Sequence, residues 1–513
     1  MSGGKRVWVP VALFGLALAV RAGAAHQTLA IFNDGPTFLR IADLFRRGEW
    51  SAALSADYHP LYPFLVSLVA PLTGGLESAG VMVSVVAGAL GVLAVHAFLC
   101  RAFDARIAWI GGVLFALHPY AVTFSADVQS EGLYFTLFLA TVAGLWRALM
   151  ERSSAWAALS GVLAGVAYWT RPEGLGLAAA GIAFAALLLF QGRWSIPFFA
   201  RWATALALGA VVVAAPYVIH LHDLNGEWML TQKKSIRDLT RPASAYGAPG
   251  VGVPDRQRWV PPPMRRPVPR QAGILPARID FEPRSIAAGV ELVAVSASAL
   301  SPVIVVLLGI GVFTLRGRPG IRGNFLLLIL CLYGVVLFGL ALNVGYLDRR
   351  HVLGPLLPLL GYAAIAVPVV GRGLLRAVRL SVGGQPSRSP VWVGLVLVAA
   401  LTLPKTLAFH REERLATRRA AEWLAGRSEL NGPVAAAKHR TAYYAREAFF
   451  HLSRGGSGSD VDRLREAGAR FLVIDDAQIA SHPGVAALRP GLLELYRVEA
   501  SGRTAFVYDL AAP

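Results

Sequence analysis

This chain has little charge and almost no cysteine. Only 16% of its 513 residues are charged, and acids are the rarer sign, 31 Asp and Glu against 49 Lys and Arg. Its two cysteines, Cys100 and Cys331, lie in or at the edge of apolar runs without metal-ligand spacing, so neither a disulfide framework nor a zinc site is expected. No small-x-small cleavage site with a polar start follows the stretch Val7 to Val20. The segment behind Lys5 and Arg6 therefore reads as a retained membrane helix, not a secretory signal. The tail also lacks a glycine-rich phosphate fingerprint at a strand-helix junction, because Gly455-Gly456-Ser457-Gly458 joins two helical patterns.

What the chain has is apolar length. It is 55% hydrophobic, with many runs long enough to cross a hydrocarbon core of roughly 30 Å. About eleven spans are expected, near Val7 to Ala25, Ser78 to Leu99, Ile107 to Phe124, Leu133 to Met150, Ala155 to Trp169 and Leu175 to Phe190. The rest lie near Trp202 to Leu221, Val290 to Leu315, Phe325 to Asn343, Val352 to Val370 and Val391 to Phe409. Arginines collect in alternate connections, at Arg101 and Arg106, Arg147 and Arg152, Arg193 and Arg201, Arg316 to Arg322, and Arg372 to Arg388. By the positive-inside rule those connections and the N-terminus are cytoplasmic, and an odd number of spans leaves the C-terminus outside. A formal charge of +18 would suggest nucleic acid in a soluble protein. Placed between spans, the same charge reads as topology and membrane-lipid contact, and no nucleic-acid partner is expected.

The expected fold class is thus a polytopic α-helical membrane protein with a small C-terminal α/β extracytoplasmic domain. The membrane domain is drawn over 1–410, with outer loops at about 26–60 and 222–285, and the tail over 411–513. The loop from His222 to Ser285 is rich in Pro and Arg and reads as extended. In the tail, strands are expected at Pro433 to Ala437, Arg470 to Asp475, Leu492 to Val498 and Thr504 to Asp509, and helices at Thr441 to Leu452 and Asp460 to Ala469. No catalytic role is assigned to the tail.

Candidate chemistry lies at the outer junctions. Asp34, in Asn33-Asp34-Gly35-Pro36, opens an amphipathic helix in which Phe38, Ile41, Ala42 and Phe45 share one face. It is either an N-cap or a general base. Asp127 and Glu131, ahead of the fourth span, are two further acids; Glu131 also suits a helix first turn. Arg349, Arg350 and His351 sit on an outer connection against the positive-inside bias, where arginine forks match phosphate oxygens and stabilise a departing phosphate. Snorkelling beside Asp348 is the alternative. Lys233 and Lys234 are candidates for the same role or are solvated. His59 is an interfacial polar residue or a substrate contact, and Arg171, in Thr170-Arg171-Pro172-Glu173-Gly174, adjoins a segment suited to a helix start.

Together these pieces resemble the multi-spanning GT-C glycosyltransferases that use lipid-linked sugars. Within them the chain is similar to the bacterial family of lipid A aminoarabinose transferases, protein O-mannosyltransferases and Rgt-type enzymes. The likeness runs through Arg21, Asp34, His59-Pro60-Leu61-Tyr62-Pro63, Asp127 and Glu131, Thr170 to Gly174, and Arg349-Arg350-His351 leading into Pro355-Leu356-Leu357-Pro358. The resemblance implies a catalytic base at Asp34, assisted by Asp127 or Glu131. Two departures stand out: the family often has adjacent acids where Asp34 is followed by Gly35, and an aromatic hydroxyl where Phe38 stands. The implied reaction moves a sugar from a polyprenyl phosphate or diphosphate to a cell-envelope acceptor at the outer leaflet of the cell membrane. No cofactor is assigned, and the sequence is compatible with a divalent metal. The rival reading is a lipid or oligosaccharide flippase or a secondary transporter. Those place ionisable groups near the midplane and often carry repeats, whereas here the charges gather at one face and the halves show no repeat.

Overall fold

A computed structural model of the chain describes residues 4–232, 234–235, 284–315, 320–344, 346–382, 390–452 and 459–511. They form two compact units. The first comprises Met1–Gly23, Ile41–Ala126 and Ser130–Leu407; the second comprises Ala24–Arg40, Asp127–Gln129 and Ala408–Pro513.

The first unit is a helix bundle. Each of the eleven expected spans is helical among the described residues, but not all become one straight span. Seven helices among the described residues are long and apolar enough to cross a membrane: Trp8–His26, Leu76–Ala102, Glu131–Met150, Pro172–Phe190, Ile196–Asn225, Gly320–Leu342 and Arg349–Val378. The number rises to nine if each of two bent pairs is one span. Ala105–Ala116 and Pro119–Ser125 meet at 57°, because Pro119 cannot donate into the preceding helix and His118 starts a new one, its Nδ1 accepting from the Ala121 N–H at 3.3 Å. Ser285–Leu300 and Pro302–Leu315 meet at 97° across Ser301, whose φ is 68°. Ser154–Tyr168 and Pro390–Thr406 are apolar but shorter, and so is Leu61–Thr73, an apolar helix outside the expected spans.

Large apolar side chains cover the outside of this bundle as well as its core. Leu72, Phe190, Val212 and Val335 are each at least 69% exposed, an exterior that suits hydrocarbon and would associate in water. Inside, Phe325 is buried between Phe184 and Trp146, with ring centroids 5.3 and 5.5 Å away. Helices Ser154–Tyr168 and Ile196–Asn225 touch backbone to backbone. A Cβ at Gly161 would collide with the Leu206 carbonyl oxygen, and one at Gly209 with that of Ala158. In lipid, such close approach of small residues is a main source of helix adhesion. Gly161→Val should therefore separate the pair and destabilise the bundle by about 1–3 kcal/mol. Unfolding in mixed micelles with increasing SDS checks this; a midpoint equal to wild type would show that the seam is not tight.

The second unit carries a five-stranded sheet. With β1 (Met229–Thr231) and β2 (Lys234–Ser235) forming a separate antiparallel pair in the first unit, the sheet strands are β3 (Val434–Ala436), β4 (Phe449–His451), β5 (Phe471–Asp475), β6 (Leu493–Ala500) and β7 (Arg503–Asp509). Their order is β4-β3-β5-β7-β6. β3 runs parallel to β4 and β5, and β7 pairs antiparallel with β5 and β6. Ser501 and Gly502, both at positive φ, close the β6–β7 hairpin as a two-residue turn requires. Helix Leu415–Ala425 packs on the sheet, its Trp423 stacked on Tyr496 at 4.3 Å.

One expected element is corrected. The helix drawn over Thr441 to Leu452 ends at Ala445, where Arg446 turns to φ 58°, and Phe449–His451 is the edge strand β4. The aromatic run Phe449-Phe450 suits a pleated surface better than a helix. The glycine-rich segment Gly455 to Gly458 and the Pro/Arg-rich loop from residue 236 to 283 lie outside the described residues.

Candidate active site

Asp34 stands where the amphipathic helix Gly35–Arg46 begins. Its carbonyl accepts from the N–H groups of Thr37 at 3.1 Å and Phe38 at 3.2 Å, which makes it the residue from which helix Gly35–Arg46 starts. The side chain is half-buried. Phe38, Ile41, Ala42 and Phe45 are all buried, and Arg40, Arg46 and Arg47 are exposed, as the helical period requires.

Asp127, in the same unit, is more deeply held. It is 1% exposed. One carboxylate oxygen accepts from the N–H of Val128 at 2.6 Å and of Phe32 at 3.3 Å, and the other from Gln129 Nε2 at 3.0 Å and from the Arg411 guanidinium. A carboxylate whose acceptor sites are taken by four donors is an anchor for the chain around it. Arg411 comes from the tail, as do Arg440 and His439 nearby. Burial, together with the charges of Arg411 and Arg414, pulls the Arg440 guanidinium down to about 10, so it remains charged at neutral pH. Burial and the Arg40 charge hold His439 down at about 4, so it is neutral there.

In the first unit, Glu131 is 2% exposed. It meets Arg171 Nη1 at 2.8 Å and Arg350 Nη1 at 3.5 Å. It is also the acid in the first turn of helix Glu131–Met150, where it faces the positive end of the helix dipole. Arg171 also reaches Glu173 at 3.2 Å and lies 5.5 Å over the Tyr134 ring. Burial alone would lower the Arg171 guanidinium, but Glu173 and Glu131 more than offset it and hold it above its ordinary value. Tyr333 closes the network by donating to the Glu173 carbonyl at 2.7 Å.

Arg349 and Arg350 separate into different tasks. Asp348 caps helix Arg349–Leu356 by accepting from the Arg350 N–H at 3.1 Å, and the His351 ring completes a capping box by accepting from the Asp348 N–H at 3.2 Å. Asp348 is therefore spent on backbone and not on the arginines beside it. Arg349 is exposed, donates to Ser298 Oγ at 2.6 Å and lies 4.8 Å over the Tyr120 ring. Lys405 reaches the same ring, donating to Tyr120 Oη at 3.2 Å. Among the described residues no acid lies within ion-pair distance of Arg349 or Lys405. Two cations on one aromatic ring, with no acidic partner among the described residues, form a place for an anion.

His59 is buried elsewhere in the bundle, edge-on to Tyr168 and Tyr217 with centroids 5.0 and 5.3 Å away. Lys233 lies outside the described residues, and of Lys234 only its backbone, in β2, is described. Both cysteines are free, and among the described residues no three His, Cys, Asp or Glu side chains gather as a metal site. Sequence reasoning missed Lys405, whose only signal is a lone cation at the end of an apolar run. It also missed Tyr120 and the arginines of the tail.

Residues 57–220 match the family model described as dolichyl-phosphate-mannose-protein mannosyltransferase. No curated protein sequence matches the chain. Among solved structures it is similar to ArnT from Cupriavidus metallidurans in the apo state, at 15% identity and TM-score 0.61 over 100% of both chains. The same protein bound to undecaprenyl phosphate gives 0.59 at 15% identity, again over 100% of both chains. The apo oligosaccharyltransferase of Archaeoglobus fulgidus gives 0.53 at 12% identity, over 99% of this chain and 75% of that one. The chain shares the fold of ArnT, and its seven long apolar helices are those of a multi-spanning membrane protein.

Proposed function

We propose that the chain moves a sugar from a polyprenyl-phosphate-type carrier to a cell-envelope acceptor, a lipid, glycan or protein, on the outer face of the membrane. The N-terminus is cytoplasmic and the C-terminal unit extracytoplasmic. The observation that carries the reading is the cation pair of Arg349 and Lys405 on Tyr120, which has no acid partner among the described residues. Likeness to an enzyme solved with undecaprenyl phosphate supports the carrier class.

In this reaction the acceptor oxygen bonds to the anomeric carbon as the carbon–oxygen bond to the carrier phosphate breaks. The bonding pair leaves on the phosphate, and its charge is received by Arg349 and Lys405. Because the leaving group is already an anion in waiting, no strong acid has to protonate it, unlike the alkoxide of glycoside hydrolysis. The acceptor proton goes to Asp34. Asp127 and Glu131, the other two acids of the constellation, hold the backbone and the arginines in place. Arg171, Arg350 and His351 build the frame around Glu131, and His59, Lys233 and Lys234 remain candidate substrate contacts.

The test is transfer by the purified chain from a panel of polyprenyl-phosphate sugars, followed as carrier phosphate released. Release should occur with at least one donor and stop when Arg349 and Lys405 are both replaced by Gln. Turnover that is indifferent to both cations would overturn their assignment.

A further inference from the structure

The tail of this chain grips the segment that leads into Asp34, and it does so through main-chain atoms. Three successive carbonyls each accept from a different arginine. The Leu29 carbonyl accepts from Arg418 Nη1 at 2.9 Å, that of Ala30 from Arg411 Nη1 at 2.6 Å, and that of Ile31 from Arg440 Nη1 at 3.0 Å. Three of the four N–H donors on the same stretch are taken too. The Leu29 N–H goes to the His410 carbonyl at 3.1 Å, that of Ile31 to Tyr444 Oη at 2.9 Å, and that of Phe32 to Asp127 at 3.3 Å. Ala30 and Ile31 are buried, so each of these groups would be expensive to leave unmade.

Long cationic side chains ordinarily stay mobile or pair with acids. Here two of them pair with acids, Arg411 with Asp127 and Arg418 with Glu422, and all three also donate to a carbonyl of this stretch. Arg411 is also held at φ 60°, a backbone region disfavoured for residues with a Cβ, while its side chain bonds Ala30 and pairs with Asp127. From the last gripped residue to Asp34 there is one tight turn, in which the Phe32 carbonyl accepts from the Gly35 N–H at 3.0 Å. Little slack is left between the grip and the carboxylate.

We infer that the C-terminal unit is a positioning element for the reaction: Arg411, Arg418, Arg440 and Tyr444 fix Leu29–Phe32 so that Asp34 is presented in one orientation. The inference rests on the reading of Asp34 as the base. These four are positioning residues, since they act through the loop. Without them Asp34 keeps its chemistry and loses its aim, which lowers turnover and leaves donor binding alone.

The experiment uses the full chain in detergent micelles, comparing wild type, the double variant Tyr444→Phe with Arg440→Gln, the rescue variant Arg440→Lys, and Asp34→Asn. Tyr444→Phe keeps the ring that packs on Tyr443 and beneath Arg418, so the tail stays folded. The double variant should lose about 10- to 100-fold in kcat with donor KM within a factor of two. Amide exchange over residues 28–38 should quicken in the same variant, and Arg440→Lys should keep most of the rate. Unchanged kcat in the double variant while Asp34→Asn is dead overturns the positioning inference alone. So does a kcat loss without faster exchange. Full activity of Asp34→Asn instead removes the base assignment, and this inference with it.

Discussion

Asp34→Asn lowers kcat by about 10²- to 10⁴-fold, the range expected when a general base is removed from a transfer step. The substitution separates the two roles that this position suits. Asn and Asp are equally good helix starters, and the observed start at Asp34 uses its main-chain carbonyl, which Asn keeps. If Asp34 only opened the helix, Asn would leave turnover and stability as they are. If it takes the acceptor proton, an amide with no basic lone pair cannot replace it, and the rate falls without change in the thermal unfolding midpoint. Steady-state kinetics beside a thermal melt of the same preparation make the distinction.

Arg171→Met destabilises the bundle by roughly 3–5 kcal/mol, because it leaves the buried Glu131 carboxylate without its nearest partner. Arg350, at 3.5 Å, is too distant to hydrogen-bond in its place. Adding Glu131→Gln removes the stranded charge, so the double variant should be more stable than Arg171→Met alone. Melting of the wild type, both single variants and the double variant gives the coupling directly, and neighbours of this kind couple by about 0.5–3 kcal/mol. Strictly additive losses would mean that Glu131 and Arg171 do not depend on one another.

Several parts of this arrangement were readable from the amino-acid order, and for physical reasons. Phe38, Ile41, Ala42 and Phe45 announce their shared face because helical spacing writes burial into sequence. The runs Ile107 to Phe124 and Val290 to Leu315 are recognisable as apolar length, but each is expected as one span and the bends at Pro119 and Pro302 are missed, although proline ends a hydrogen-bond ladder wherever it stands. The acids at Asp34 and Glu131 stand out because charge is rare at such junctions.

Other parts were hidden for equally plain reasons. Arg171 and Arg350 appear as two unrelated motifs, and nothing in the sequence says whether a guanidinium will face an acid or a ligand. Only the fold brings both to Glu131. Lys405 is absorbed into the end of an apolar run until Tyr120 is seen beside it. The tail arginines are the deepest case. Their partners are carbonyls 381 to 409 residues away, and a main-chain carbonyl is the same at every position, so no side-chain pattern could have disclosed the grip. In the same tail the expected helix over Thr441 to Leu452 hides the strand Phe449–His451.

The central claim is a single displacement at a carrier-linked sugar with Asp34 as the base. Proton NMR of the product formed from a donor of defined anomeric configuration tests it most directly. Attack by the acceptor as the phosphate leaves predicts a product of the opposite anomeric configuration; a product that keeps the donor's configuration would contradict the account.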